Sequence, residues 1–185
     1  MISPRGYEIH DWENSKSQFR RFAVLADEVE LSGKSLLDVG CGIGDLYQHL
    51  IVDRRIDVSY TGVDLLESMI RRARERFPDA RFLAADIIGE RVFEPGSFDV
   101  VFCSGIFNLR IGNHDDFART MIPVLIHLAR SHVVFNMLHI DSPDPDPRYC
   151  YFDPDDVVGW EEVCNSKPRV VQGYLSNDFS VVCFI

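Results

Sequence analysis

Three glycines at alternate positions follow a short apolar run near the start of the chain. The run Ser35–Val39 is followed by Gly40, Gly42 and Gly44. An apolar run that meets glycines predicts a buried strand entering a tight turn. Glycine lacks a Cβ, so its backbone tolerates positive φ angles and lets a ligand lie against it. The helical pattern after Gly44 completes a strand–turn–helix unit, which favours a nucleotide-type ligand at the turn.

The spacing of the glycines distinguishes this turn from two phosphate-binding loops. The dinucleotide pattern Gly-x-Gly-x-x-Gly needs a third glycine where Asp45 stands. A carboxylate there would face the pyrophosphate at close range, which disfavours an NAD-dependent oxidoreductase. A Walker loop is excluded because no Gly-Lys-Ser/Thr follows. The turn therefore favours a ligand that tolerates an acidic neighbour.

Acidic residues also end the next two apolar runs. Asp64 closes the second run and lies roughly twenty positions beyond the glycine turn, where a ribose-binding carboxylate belongs. Asp86 closes the third run in the same way. Ligands of a doubly wound sheet bind beyond the carboxyl ends of its strands. We therefore expect the turn, both aspartates and the segment Cys103–Arg110 to converge on one cleft.

These segments together resemble the class I S-adenosylmethionine (SAM)-dependent methyltransferases. The stretch Asp-Val-Gly-Cys-Gly-Ile-Gly over 38–44 resembles the first motif of that family, and Asp64 and Asp86 resemble its ribose-binding and adenine-contacting residues. The resemblance covers essentially the whole chain. It implies a SAM-dependent methyltransferase (EC 2.1.1.-) with a small-molecule acceptor that the sequence does not identify.

The resemblance also implies individual cofactor contacts. Asp38 would meet the methionine amino group, directly or through water. Leu65 and Ile87 would enclose the adenine, and the alternative for Asp38 and Asp86 is a role in capping turns. The full set of residues implied in cofactor binding is Gln18, Arg21, Asp38, Gly40, Cys41, Gly42, Gly44, Asp64, Leu65, Asp86, Ile87 and Cys103.

Residues 1–31 are predicted to form an N-terminal arm and a cofactor-covering helix. Residues 1–14 are polar with two aromatics, whereas apolar residues recur at helical spacing from Ser15 to Leu31. In the resembled family a helix here often packs over the methionine end of the cofactor. Gln18 and Arg21 could then reach the SAM carboxylate. The alternative is that both belong to a solvated polar face.

Methyl transfer from a sulfonium requires a base only if the acceptor must lose a proton to react. The catalytic candidates are His139, Asn108, Tyr149 and Tyr151. His139 follows the fifth apolar run and could act as a general base near neutral pH, or be structural. Ser104–Asn108 stands where amino-group methyltransferases acting on DNA carry Asn-Pro-Pro-aromatic, which disfavours a base or amide nitrogen as acceptor.

The order of apolar runs predicts the fold. We expect a single α/β domain over 1–185, with a Rossmann-like, seven-stranded, mostly parallel sheet, helices on both faces and an antiparallel C-terminal hairpin. The predicted strands cover 35–39, 58–64, 80–87, 97–104, 131–138, 169–175 and 180–185. A Pro/Asp-rich loop over 139–152 is expected to be irregular, because alternate prolines remove donors and fix φ. It could serve as a lid or as a partner surface.

Composition narrows the partners and the compartment. The net charge of −10 argues against a nucleic-acid backbone as the main partner, which needs clustered Lys and Arg. The five cysteines are odd in number and scattered, as expected of reduced thiols in a cytoplasmic protein. No apolar run has transmembrane length, and no His or Cys spacing is typical of a metal site. A non-catalytic SAM-binding module remains an alternative, and the oligomeric state stays open.

Overall fold

The computed structural model describes residues 15–110, 114–164 and 168–185, so the predicted arm over 1–14 lies outside the described residues. In chain order the elements are α1 (Ser15–Glu28), β1 (Ser35–Val39), α2 (Asp45–Tyr47) continued by a π-helix (Gln48–Asp53), β2 (Ser59–Asp64), α3 (Glu67–Arg76), β3 (Arg81–Ala84), β4 (Phe98–Cys103), a 3₁₀ turn (Ile106–Asn108), α4 (His114–Leu128), β5 (Ala129–His139), β6 (Tyr151–Phe152), α5 (Pro154–Val158), α6 (Glu161–Cys164), β7 (Arg169–Val171) and β8 (Asp178–Phe184). Within these ranges, no helix combines the length and the apolar composition needed to cross a bilayer.

The strands form one mixed sheet with the order β3-β2-β1-β4-β5-β8-β7. Strands β1 to β5 pair in parallel, whereas β8 is antiparallel to both β5 and β7. The predicted fold class, a mostly parallel Rossmann-like sheet with an antiparallel C-terminal hairpin, is confirmed. An eighth strand was not predicted: the two-residue β6 pairs in parallel with Leu138 and His139 of β5.

Consecutive residues of the strands face opposite layers of helices. Leu36 and Val100 belong to the cluster that packs against α1, α2 and α3, whereas Leu37 and Val101 belong to the cluster under α4, α5 and α6. Side chains alternate across a strand, so an all-apolar run supplies both layers. This arrangement explains why the buried strands lack a polar face in the sequence.

Several predicted strands differ in length from the observed ones. β3 ends at Ala84 instead of residue 87, because Asp86 closes a turn by accepting hydrogen bonds from the N–H groups of Ile88 (2.9 Å) and Gly89 (3.1 Å). β5 extends at both ends, to Ala129–His139, because Ala129 pairs with Phe98 of β4 and His139 pairs with Phe152 of β6. β7 is shorter than predicted and ends at Val171.

The strand order reverses between β1 and β4. From β1 the chain builds outward through β2 and β3, and then crosses back to place β4 on the other side of β1. The loops after β1 and β4 therefore leave towards opposite faces, which opens a crevice at their carboxyl ends. The glycine turn after β1 and the 3₁₀ turn after β4 border this crevice.

Candidate functional site

The turn after β1 depends on glycine for two different reasons. Gly40, Gly42 and Gly44 have φ angles of 73°, 54° and 83°. A Cβ on Gly40 would lie 2.6 Å from Cδ1 of Ile106, and one on Gly44 would lie 2.9 Å from the ring of Phe82. A Cβ on Gly42 would meet no atom within 4 Å. Packing therefore requires two of the glycines, whereas the side of Gly42 is open to a ligand.

Asp64 joins the end of β2 to the glycine turn. Its Oδ2 accepts a hydrogen bond from the N–H of Gly42 at 2.9 Å, and its Oδ1 accepts one from the N–H of Leu66 at 2.9 Å. Each carboxylate oxygen has two lone pairs, so both can accept a further hydrogen bond. The carboxylate is thus oriented by the backbone and can still bind a pair of hydroxyl groups.

Asp38 is a buried carboxyl group beneath the turn. It is 4% exposed, and the hydroxyl of Tyr60 donates a hydrogen bond to its Oδ2 at 2.6 Å. Burial raises the pKa of Asp38 to about 7, the Tyr60 hydrogen bond opposes this shift, and the charges of Asp64 and Asp45 add to it. Near neutral pH the group therefore gains or loses a proton readily.

Asp45 connects the turn to two helices. Nη1 of Arg76 in α3 lies 2.8 Å from its Oδ1, and Nε2 of Gln18 in α1 donates to its Oδ2 at 3.3 Å. Nη1 of Arg76 also donates to the carbonyl of Ile43 at 2.7 Å. The structure thus brings Gln18 to the turn and gives Asp45 a cationic partner.

Arg21 is held in a buried network on β8. Its Nε and Nη2 lie 2.8 Å and 2.7 Å from Oδ2 of Asp178, which is 2% exposed. The amide of Asn136 donates to both oxygens of Asp178, and its Oδ1 accepts from the N–H of Gly105 at 3.1 Å. Tyr174 donates to the same carboxylate. Burial raises the pKa of Asp178, and Arg21 opposes that shift. The network fixes α1 and the turn after β4 to the same strand.

The residues predicted to enclose the adenine lie at the ends of β2 and β3. Leu65 is 70% exposed, and Ile87 is partly buried against the core. Asp86 is exposed and caps its own turn. Cys41 and Cys103 are buried, and burial raises the pKa of both thiols, so they stay protonated. Of the five, Leu65 offers the most apolar surface to a ligand.

The four catalytic candidates divide into two pairs. Nδ1 of His139 accepts a hydrogen bond from the N–H of Asp141 at 3.0 Å, so the neutral ring carries its proton on Nε2. The Tyr151 hydroxyl accepts from the N–H of Asp146 at 2.7 Å. Both side chains therefore hold the Pro/Asp-rich loop in place.

Asn108 and Tyr149 form the second pair, at the turn after β4. The backbone of Tyr149 forms an isolated bridge with Leu109, and the N–H of Cys150 donates to the Asn108 carbonyl at 2.9 Å. Asn108 is 9% exposed, and its Oδ1 has no hydrogen-bond partner among the residues that the structure describes. A buried acceptor without a donor is costly, and a ligand with a donor would satisfy it.

Sequence reasoning missed Tyr60 and Asp178, which contact the predicted site residues directly. The polar hydroxyl of Tyr60 in an apolar strand was a signal, as was the polar Asn136 within β5. Their partners could not be read from the sequence because they lie on other strands. In the described part of the chain, no group of three or more His, Cys, Asp or Glu side chains is arranged to hold a metal ion.

Comparisons with known proteins find methyltransferases. Residues 36–127 match a family described as "Methyltransferase domain". A trans-aconitate 2-methyltransferase of Afipia carboxidovorans is 33% identical over 84 residues, which is 45% of this chain and 32% of that protein. A malonyl-[acyl-carrier protein] O-methyltransferase of Acetivibrio thermocellus is 28% identical over 182 residues, covering 90% of this chain and 63% of that protein. The match thus spans about a third of the first relative (32%) and less than two thirds of the second (63%).

Solved structures share the fold at low sequence identity. A 1,6-didemethyltoxoflavin-N1-methyltransferase of Burkholderia thailandensis, crystallised with 1,6-didemethyltoxoflavin and S-adenosylhomocysteine, superposes with a TM-score of 0.72. It is 16% identical, and the match covers 97% of this chain and 82% of that one. At this identity the superposition compares the fold alone.

Proposed function

Because the chain belongs to the class I SAM-dependent methyltransferases, we propose that it binds SAM in the crevice beyond β1 and β4 and methylates a small-molecule acceptor. The observation that supports this proposal best is the Asp64 carboxylate, held 2.9 Å from the Gly42 N–H at the edge of the crevice. Bound SAM would supply an electrophilic methyl group on a sulfonium. The protein would bind it, orient the acceptor and exclude water.

The residues of the crevice fit this cofactor. Asp64 would accept hydrogen bonds from the ribose hydroxyls, beside the open side of Gly42. Leu65, which is 70% exposed, would pack on the adenine, with Ile87 opposite. Asp38 would meet the methionine ammonium, because a buried carboxyl group gains most from a cation. An acidic turn suits a cofactor with a sulfonium and an ammonium better than one with a pyrophosphate.

The covering helix α1 would close the methionine end of the site. Gln18 already reaches Asp45, and Arg21 uses Nε and Nη2 for Asp178. No hydrogen bond to Nη1 of Arg21 occurs within the described residues, so this nitrogen would serve the SAM carboxylate. The contact with Asp178 would then hold the guanidinium in an orientation that leaves Nη1 for the SAM carboxylate.

Asn108 is the strongest candidate for a contact to the acceptor, because its Oδ1 has no hydrogen-bond partner among the described residues. Tyr149 adjoins it through the backbone bridge to Leu109. His139 and Tyr151 hold the Pro/Asp-rich loop and would contribute indirectly, through its position. The acceptor would be a small molecule, as the names of two of the three relatives above indicate for those proteins, and the net charge of −10 disfavours nucleic acid. The cysteine content agrees with a cytoplasmic location.

A non-catalytic SAM-binding module is a second candidate function. It is favoured by the hydrogen bonds that two of the catalytic candidates already accept, Nδ1 of His139 and the hydroxyl of Tyr151. Such a module would bind SAM through the same residues but would not consume it.

Calorimetric titration of SAM and S-adenosylhomocysteine tests the cofactor site. Asp64→Asn removes the charge and one acceptor, and we expect SAM affinity to fall about tenfold to a hundredfold. Asp79→Asn, on the exposed turn after α3, is the matched control and should bind as the wild type does. Absence of SAM binding to the wild type, or equal binding to Asp64→Asn, would contradict the proposal. Release of S-adenosylhomocysteine from SAM in the presence of a metabolite mixture separates an enzyme from a binding module.

A further inference from the structure

Three carboxyl groups surround the glycine turn, and they differ in what balances their charge. Asp45 has the guanidinium of Arg76 at 2.8 Å, and Asp64 accepts two backbone N–H groups. Asp38 has only the neutral phenol of Tyr60, and no cation approaches it among the described residues. It is also the most buried of the three. Asp38 is therefore the carboxyl group that most needs a cationic partner from outside the chain.

Tyr60 is fixed in the position that this hydrogen bond requires. It is buried on β2, and its ring packs edge-to-face against Tyr47 and Phe82, with centroid distances of 5.3 Å and 5.8 Å. The parallel register of β1 and β2 pairs Leu36 with Tyr60, which places the ring two residues below Asp38. The hydroxyl then reaches the carboxyl group at 2.6 Å. Neither strand alone could bring the two groups together.

Resting on the proposed SAM site, we propose that Tyr60 is a positioning residue for cofactor binding, and that Asp38 releases one proton to solvent when the cofactor ammonium arrives. Below pH 7 the carboxyl group of the free protein carries the proton and accepts the hydrogen bond from Tyr60. In the complex its O–H bond breaks, the proton leaves to the buffer, and the carboxylate pairs with the ammonium. Tyr60 keeps its own proton in both states and continues to donate to Asp38.

The surroundings of Asp38 decide the direction of this proton exchange. The titratable groups that face it are Tyr60 and Asp64 from β2, Asp45 from α2, Cys41 from the turn and Cys103 from β4. All of them are neutral or negative near neutral pH. Arg21, a cation of α1, is bound to Asp178 instead. A positive ligand group is therefore the partner that would favour the ionised carboxylate.

The pH dependence of SAM affinity follows from these charges. The pKa of Asp38 in the free protein is about 7, and pairing with an ammonium lowers it in the complex. Below pH 7 binding must expel the proton, so SAM affinity should fall by up to about tenfold for each pH unit. Above pH 7 the carboxyl group is already ionised, and this contribution to the affinity should become flat.

Removing the Tyr60 hydroxyl should move this profile in a defined direction. The Tyr60 hydrogen bond lowers the pKa of Asp38, so Tyr60→Phe should raise it and shift the break in the affinity profile to higher pH. The phenylalanine ring keeps the packing against Phe82. If Tyr60 had only a structural role, Tyr60→Phe would change SAM affinity by the same factor at every pH.

The test is calorimetric titration of SAM at pH 6, 7 and 8, each in two buffers of different ionisation enthalpy. The α-amino group of SAM itself titrates at about pH 8, so proton release is read as the difference from Asp38→Asn at the same pH. Relative to Asp38→Asn, the wild type should release close to one proton at pH 6 and almost none at pH 8, whereas Tyr60→Phe should still release protons at pH 8. Tyr47→Phe, whose ring packs 5.3 Å from that of Tyr60, is the matched control and should follow the wild type.

Two results would overturn the proposal: no proton release by the wild type at pH 6, or a Tyr60→Phe profile that coincides with that of the wild type. Asp38→Asn keeps the test decisive if Tyr60→Phe fails to fold, because the wild type and Asp38→Asn must then differ in proton release. If the wild type does not bind SAM at any pH, the proposed function itself fails. If it binds SAM without proton release, only the role of Tyr60 and Asp38 fails.

Discussion

Alanine substitutions at Gly40 and Gly42 should separate the folding of the turn from its binding. Both residues have positive φ, at 73° and 54°, so alanine costs about 1–2 kcal/mol at either position. At Gly40 the new methyl group would also lie 2.6 Å from Cδ1 of Ile106, which adds about 1–3 kcal/mol of overpacking. We expect Gly42→Ala to lower the melting temperature by about 2–8 °C and Gly40→Ala by about 4–20 °C.

Binding of SAM should follow a different order. At Gly42 a methyl group meets no protein atom within 4 Å, so it would occupy the space proposed for the ligand next to Asp64. Gly42→Ala should therefore weaken SAM binding more than tenfold while it remains folded. Thermal unfolding by circular dichroism and calorimetric titration measure the two effects. SAM affinity within twofold of the wild type would refute the reasoning that the ligand lies against this backbone.

The clash at Gly40 has its own control. Ile106→Ala removes both side-chain atoms that a Cβ on Gly40 would approach, Cγ1 at 2.7 Å and Cδ1 at 2.6 Å. The double variant Gly40→Ala/Ile106→Ala should therefore be more stable than the sum of the two single changes predicts, by about 1 kcal/mol or more. Simple additivity would show that the loss at Gly40 comes from backbone strain alone.

The remaining predictions concern buried polar groups. Arg21→Met leaves Asp178, which is 2% exposed, without its cation, and should lower the free energy of unfolding in urea by about 3–5 kcal/mol. Adding Asp178→Asn should restore part of this loss. A loss below about 1 kcal/mol would contradict the reasoning. Asn108→Leu removes an Oδ1 that has no partner in the described structure, so the melting temperature should rise by a few degrees. A fall would contradict the cost assigned to this unpaired oxygen. The pKa of Asp38 rises from 3.8 to about 7 on folding, so its contribution to stability should decline as pH increases between these values and be absent above pH 7. Urea unfolding at pH 5 and pH 8 should show this decline in the wild type minus Asp38→Asn difference, and an equal difference at both pH values would contradict it.

Much of the fold could be predicted because its signals are local. Apolar runs ending in glycine or aspartate indicated β1, β2 and β4 within a residue or two, since a strand buried between two helix layers is apolar on both faces. The distance from the glycine turn to Asp64 predicted their meeting, because parallel strands of a doubly wound sheet end at the same edge. The sequence also placed Asp45 where a dinucleotide-binding loop needs a glycine, which disfavoured a pyrophosphate at the turn.

Two features of the strands were not predicted from the sequence: the early end of β3 and the existence of β6. Asp86 was expected within a strand, but its carboxylate competes for nearby backbone N–H groups and ends β3 at Ala84. β6 is two residues long, and such a segment has no periodicity of its own. It exists because Leu138 and His139 present an unpaired edge to it. Local hydrogen bonds to Asp86 thus decided the end of β3, whereas pairing between distant segments decided β6.

The sequence by itself determined the acidic, glycine-rich turn and the spacing that brings Asp64 to it. Only the tertiary structure decided the protonation of Asp38 and the role of Arg21. Tyr60 lies 22 residues from Asp38, and Asp178 lies 157 residues from Arg21, so strand register and helix packing make both contacts. Burial then raises the pKa values of Asp38 and Asp178, since a desolvated carboxylate is stabilised only by the few groups that reach it. Desolvation depends on the whole fold, and no local stretch of sequence specifies it.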